Sequence, residues 1–127
     1  MLYGTPQAGN NPDATKNIAA LEPGSQLILL DGTETIASGS KSVAFSLAFH
    51  EAGGFPVTFN VTGCPGGSTI DVQVAADDVE AEYTTTATIG LTAAGNGAYT
   101  DAGASPYRRL SVTTLVGGDV PKAKVTR

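Results

Sequence analysis

Phe55-Pro56-Val57-Thr58-Phe59-Asn60-Val61-Thr62, then Gly63-Cys64-Pro65-Gly66-Gly67-Ser68, then Thr69-Ile70-Asp71-Val72-Gln73-Val74 is the stretch that decides the fold. In its first run the apolar positions are Phe55, Val57, Phe59 and Val61; in its last they are Ile70, Val72 and Val74. Successive side chains of a strand point to opposite faces. Strict alternation therefore predicts two strands, each buried on one side and wet on the other. The Gly- and Pro-rich segment between them predicts a turn, and the pair reads as one long hairpin onto which the rest of the chain packs.

Upstream, residues 25–30 contain the unbroken run Leu27-Ile28-Leu29-Leu30, which predicts a short strand buried on both faces. Asp31-Gly32 predicts a tight hairpin into residues 33–36. After Ser38-Gly39-Ser40, the residues Val43, Phe45, Leu47 and Phe49 alternate with small ones, as in a strand whose second face is either closely packed or turned to water. Downstream of a turn at residues 75–78, Val79, Ala81 and Tyr83 alternate with Glu80 and Glu82. Thr84-Thr85-Thr86 continues that strand, because β-branched residues favour extended backbone. Residues 93–106 read as loop apart from Ala98-Tyr99-Thr100. Residues 107–116 read as the last long strand, with Leu110, Val112 and Thr114 inward and Ser111 and Thr113 outward, and residues 120–125 close the chain. About eight to ten short strands, each with one apolar face, require a second sheet to cover the first. The expected fold is an all-β, two-sheet antiparallel β-sandwich, jelly-roll-like in its connections. An immunoglobulin-like sandwich ranks second, since its Cys–Trp–Cys core cannot be made from one Cys and no Trp.

The totals agree with this class. A chain of 127 residues holds one domain with a core large enough to fold unaided. Charged residues make up only 15% and there are 16 glycines, a composition that suits strands and turns rather than a solvated disordered chain. A net charge of −5 argues against a nucleic-acid partner, whose phosphates are met by Lys and Arg. The single cysteine, Cys64, excludes an intramolecular disulfide, and with no basic neighbour in sequence it reads as a small packing residue. The opening Met1-Leu2-Tyr3-Gly4-Thr5-Pro6 has neither a basic leader nor a long apolar run, so synthesis in a cytosol and no membrane contact are expected. Residues 1–24 lack strand alternation and are set apart as an extended N-terminal arm from the sandwich at 25–127. A short helix over 13–21 is expected there, capped by Asp13 and stopped by Pro23-Gly24. Leu2, Tyr3, Ile18 and Leu21 would anchor the arm on a neighbouring subunit; the plainer alternative is a frayed terminus.

Catalysis finds little support in the sequence. The one histidine, His50, stands beside Glu51 in a Gly-rich link with no nucleophile or orienting partner marked out, and reads as a surface residue. No Gly-x-Ser-x-Gly elbow occurs, and no pair of carboxylates is singled out for glycoside hydrolysis. One Cys and one His cannot make a zinc site. Asp77, Asp78, Glu80 and Glu82 supply oxygen ligands without calcium-loop spacing, so an exposed acidic strand is the simpler account. The Asn60-Val61-Thr62 sequon carries no weight without a secretory signal. The expected protein has no catalytic set, no metal and no cofactor.

Charge placement says more. Asp71, Asp77, Asp78, Glu80 and Glu82 cluster in sequence, while Arg108, Arg109, Lys122, Lys124 and Arg127 fill the last twenty positions. The plain account leaves both sets solvated or paired across neighbouring strands of one subunit, and pairing within the subunit or guarding a sheet edge is preferred. Alternatively an acidic edge of one copy meets a basic edge of another, with Glu80, Glu82, Arg108, Arg109, Lys122 and Lys124 as the contact residues.

The order of features resembles that of small β-sandwich virion proteins of tailed bacteriophages: a Gly/Pro/Asn-rich start, Val57-Thr58-Phe59-Asn60-Val61-Thr62-Gly63, Thr69-Ile70-Asp71-Val72-Gln73-Val74, a Thr-rich strand, then Tyr99-Thr100-Asp101-Ala102-Gly103 and Pro106-Tyr107-Arg108-Arg109-Leu110-Ser111-Val112-Thr113. The similarity is a pattern of strands and turns from about residue 37 onward. It implies a non-enzymatic virion structural protein, made in the host cytoplasm and placed on the outer capsid surface as a cement or decoration protein. Implied partners are the major capsid protein and copies of itself in a homo-oligomeric arrangement, with no active site to carry over. The alternative is a host- or glycan-binding module of a head fibre or tail appendage, for which Tyr3, Tyr83, Tyr99 and Tyr107 are the available aromatics.

Overall fold

A computed structural model describes residues 19–22, 24–33, 35–47, 56–103 and 105–127. Two sheets face each other. One has six strands: β1 (Ala19–Leu21), β4 (Phe45–Leu47), β9 (Tyr107–Thr114), β6 (Thr69–Ala75) and β7 (Thr84–Thr88) in that order, with β3 (Ser40–Lys41) also on β9. The other has four, in the order β2 (Gln26–Asp31), β10 (Lys122–Thr126), β5 (Val57–Thr62) and β8 (Gly97–Asp101).

The connectivity is that of a rolled hairpin. β2 pairs with β10, β4 with β9, β5 with β8 and β6 with β7, every pair antiparallel and the pairs alternating between the sheets. Nested pairing of this kind is the jelly roll, so the expected fold class holds. β1 adds a parallel strand on the far side of β4. Its residues 19–21 are therefore extended where the end of a helix was expected, and Leu21 is fully buried in the core. The rest of the expected arm and helix, at 1–18, lies outside the described residues.

In β5, β6 and β9 alternation predicts the buried face correctly, whereas Val43, expected to alternate into the same strand as Phe45, precedes β4 and is 59% exposed. Val57, Phe59 and Val61 from the four-stranded sheet meet Phe45, Ile70, Val72, Leu110 and Val112 from the six-stranded one, all at most 1% exposed. The Phe45 and Phe59 rings, one from each sheet, lie 6.0 Å apart and tilted by 52°. Partner choice is another matter. β5 and β6 do not form a hairpin, for they belong to different sheets, and the turn between them carries the chain across the core. Nor does Asp31-Gly32 start a hairpin: β2 pairs with β10, and Asp31 Oδ1 instead accepts from the amide and hydroxyl of Thr33.

Two further corrections concern local conformation. In the β2–β10 ladder Ala123 faces Leu30 and Lys124 faces Ile28, which leaves Leu29 as the extra residue of a bulge. The bulge lets neighbouring Leu29 and Leu30 both turn inward, at 6% and 5% exposure, while Ile28 faces out at 54%. The unbroken run thus marks a bulged strand, not burial on both faces. Glu80–Glu82 forms a 3-10 turn in place of the expected strand, and Val79 before it is exposed.

Three connections converge where β6 begins. Gly63 and Gly95 both have φ near +80°, and a Cβ on either would lie 2.1–2.2 Å from backbone of a neighbouring loop. Glycine is what permits that approach. Asp119 then ties the 116–120 connection to the β5–β6 turn through Gly66 N (2.7 Å), Ser68 N (3.2 Å) and Ser68 Oγ (2.6 Å). Cys64 is buried beneath them.

Candidate functional site

The outer face of the four-stranded sheet carries a shallow groove. Register places Ile28, Lys124, Asn60 and Ala98 side by side across β2, β10, β5 and β8, with Asp31, Lys122 and Thr62 in the adjoining row. Ile28, Asn60, Thr62, Lys122 and Lys124 line a concavity of about 310 Å³ whose walls are mainly apolar. Ile28 also borders a second open groove, of about 320 Å³, between β2 and exposed Val43. β2 has β10 as its neighbour on one side and forms an edge of its sheet on the other. β10 lies between β2 and β5, so Lys122 and Lys124 do not guard a sheet edge. They project from the middle of the sheet into solvent.

The acidic connection between β6 and β7 sits elsewhere. Arg109, on the outer side of β9, gathers it in: Nη1 meets Glu80 Oε2 at 2.5 Å, Nε donates to Gln73 Oε1 at 2.8 Å, and the guanidinium stacks 3.9 Å from the Tyr83 ring centroid. Tyr83 donates in turn to Asp78 Oδ1 at 2.5 Å. Burial, then that hydrogen bond and the Asp78 charge, push the Tyr83 hydroxyl well above its ordinary value. The Arg109 hydrogen bond holds the Glu80 carboxyl below the usual carboxylate range. The result is a turn pinned at its base, with Asp77, Val79 and Glu82 exposed on it.

Arg108 points the other way. It is fully buried and reaches from β9 to Asp101 on β8, Nε to Oδ2 at 3.1 Å, while its Nη2 donates to the Gly103 carbonyl. That approach is an ion pair whose angle falls outside hydrogen-bond geometry. Burial lowers the Arg108 pKa, and the Asp101 charge works against that shift.

The expected contact residues therefore divide. Arg108 and Leu21 are interior and hold the monomer together; neither presents a side chain to a partner. Arg109 and Glu80 pair within the subunit. Glu82, Lys122 and Lys124 are exposed, and Leu2, Tyr3 and Ile18 lie outside the described residues. His50 and Glu51 lie outside them as well. Among the described residues no group of three or more His, Cys, Asp or Glu is placed to hold a metal ion, and no helix is long and apolar enough to cross a membrane. The Cys64 thiol is buried, and burial followed by the Asp119 charge raises its pKa, which disfavours a thiolate nucleophile.

Sequence reasoning passed over Ile28 and Val79, the apolar members of these two surfaces. Four consecutive apolar residues are one too many for a strand with one wet face, and Val79 is a lone aliphatic among acids. Those were the available signals. No family model matches the chain, and no characterised protein or solved structure matches it either.

Proposed function

We propose that this chain is a non-enzymatic virion structural protein, a capsid cement or decoration protein that binds the outer capsid between capsomers. Jelly rolls serve in virion shells, although the same scaffold hosts unrelated functions, so the weight falls on the surface. The observation that carries the reading is the outer face of the four-stranded sheet. It is an open, mainly apolar groove edged by Lys122 and Lys124 and built on rigid strands. A surface of that kind suits adhesion to a broad partner surface better than enclosure of a small substrate. The arginines of β9 hold strands and connections in place rather than converging on a cleft.

A cement protein acts by mass action: it binds the assembled lattice and not the separated subunits, and so stabilises the lattice. Many copies at high local concentration make weak individual contacts sufficient. The glycan-binding alternative needs an exposed aromatic platform. Tyr99 packs against the core, Tyr83 lies under Arg109, and Tyr107 is half-buried, so these three do not offer one.

The test is copy number in assembled particles, measured against the major shell protein, with particles lacking the chain compared for resistance to heat and low salt. Hundreds of copies, lost together with that resistance, support the cement reading. A few dozen copies on an equally robust shell indicate an appendage. Absence from every particle overturns the proposal.

A further inference from the structure

We infer that two copies of this chain bind head to tail, with the acidic β6–β7 turn of one seated in the lysine-edged groove of the next. The two surfaces are complementary in charge, and each carries one exposed aliphatic residue. The turn presents Val79, 50% exposed, between exposed Asp77 and Glu82. The groove presents Ile28, 54% exposed, with Lys124 beside it on the neighbouring strand. One aliphatic tip flanked by acids meets one aliphatic floor beside Lys124, with Lys122 in the adjoining row. Asp31 also lines the groove, facing Lys122 across the ladder, which leaves Lys124 as its principal attractive charge.

The two surfaces cannot meet within one molecule. β6 runs from the Gly63–Ser68 side, at Thr69, to the acidic turn after Ala75, so the turn lies at the far end of the six-stranded sheet. Lys122 pairs with Thr62, immediately before Gly63, and therefore lies at the opposite end, on the outer face of the other sheet. They sit on different sheets of the sandwich, about 10 Å apart, and toward opposite ends of it. Complementary patches on different faces make a heterologous contact, which propagates into a row or closes into a ring. Arg109 and Tyr83 hold the turn in shape beforehand, so little ordering accompanies docking.

A net charge of −5 makes copies repel at long range, and this local contact has to overcome that. Its strength therefore depends on salt, since charges at an exposed rim are screened.

The experiment is sedimentation velocity of the full chain over a concentration series, with no shell protein present. The groove is also the face that the cement reading uses, so a copy seated in it takes the place of shell protein there. Sedimentation without shell protein reads the contact between copies, while the cement reading stands or falls on particles. The wild type is expected to associate reversibly, and less so at about 1 M salt, where the Debye length is about 3 Å. Lys122→Glu/Lys124→Glu and Asp77→Lys/Glu82→Lys are each expected to raise the dissociation constant at least about tenfold. Mixing the two variants in equal amounts restores association, because each acidic surface again meets a basic one; that recovery also shows both variants folded. Val79→Ser is expected to weaken association without altering its salt dependence. A wild type that stays monomeric, variants that associate like the wild type, or a mixture that fails to recover overturns the inference.

Discussion

Arg108 on β9 and Asp101 on β8 oppose each other across the interior at 3.1 Å, one from each sheet, with side chains 0% and 9% exposed. A buried charge left without its partner is far more costly than the pair is beneficial, because desolvation is no longer offset. Arg108→Met or Asp101→Leu alone is therefore expected to destabilise the fold by about 3–5 kcal/mol. The double variant Arg108→Met/Asp101→Leu recovers most of the loss. Urea unfolding of the four proteins of this cycle checks it; additive losses in the double variant would show that the two groups act separately.

Gly95 makes a second prediction, of a different kind. Its φ of +83° and the 2.2 Å approach of a hypothetical Cβ to Cys64 and Pro65 backbone leave no room for a side chain. Gly95→Ala is expected to cost more than the roughly 1–2 kcal/mol of a left-handed non-glycine residue, since the loop must also move. Gly67 shares the positive φ, at +86°, with nothing within 4 Å of its Cβ. Gly67→Ala should cost only the conformational part. A denaturation midpoint that drops equally for both would refute the clash.

These two cases show how far the sequence could be read. Alternation at Phe59 and Ile70 identified which side of each strand is buried, because pleating ties face to position. It could not say that β5 pairs with β8 and β10 while β6 pairs with β7 and β9. Any strand with one apolar face satisfies the same pattern, and the partners lie up to 68 residues away along the chain, as Thr58 does from Thr126. The apolar–acidic alternation from Val79 to Tyr83 fits a strand equally well. What prevails is Arg109, which collects Glu80 and Tyr83 onto β9 and draws the chain into a turn. Arg108 and Arg109 are adjacent in sequence, and their charge alone does not separate them. On a strand they must face opposite ways, one into the core and one out, which alternation already implied.

Asp119 predicts an acid limb of stability. Hydrogen bonds from Ser68 Oγ, and then from the Gly66 and Ser68 amides, hold its carboxyl below the ordinary aspartate value of 3.8. A group with a depressed folded pKa contributes stability above its unfolded value and loses it as pH falls through the folded one. Wild-type stability should thus fall on acidification from about pH 4 downward. Asp119→Asn should be less stable at neutral pH and show a shallower acid slope. Thermal unfolding at closely spaced pH values, wild type against variant, reads the difference directly; parallel acid limbs would remove Asp119 from the account.

Cys64 offers a probe of the same end of the sandwich without altering it. Its side chain is fully buried, and burial followed by the Asp119 charge raises the thiol above its ordinary value of 9.0. Only the thiolate reacts with a disulfide reagent, and here it must first be exposed by opening of the loops over it. Native protein should therefore react at least about a hundredfold more slowly than the urea-unfolded chain. Gly95→Ala, which pushes the Gly95 loop off the Cys64 backbone, should shorten that lag more than Arg108→Met, which acts on β9 and β8, does at equal loss of global stability. Equal labelling rates in the two variants would mean that Cys64 is reached through global unfolding, with no local opening at this end.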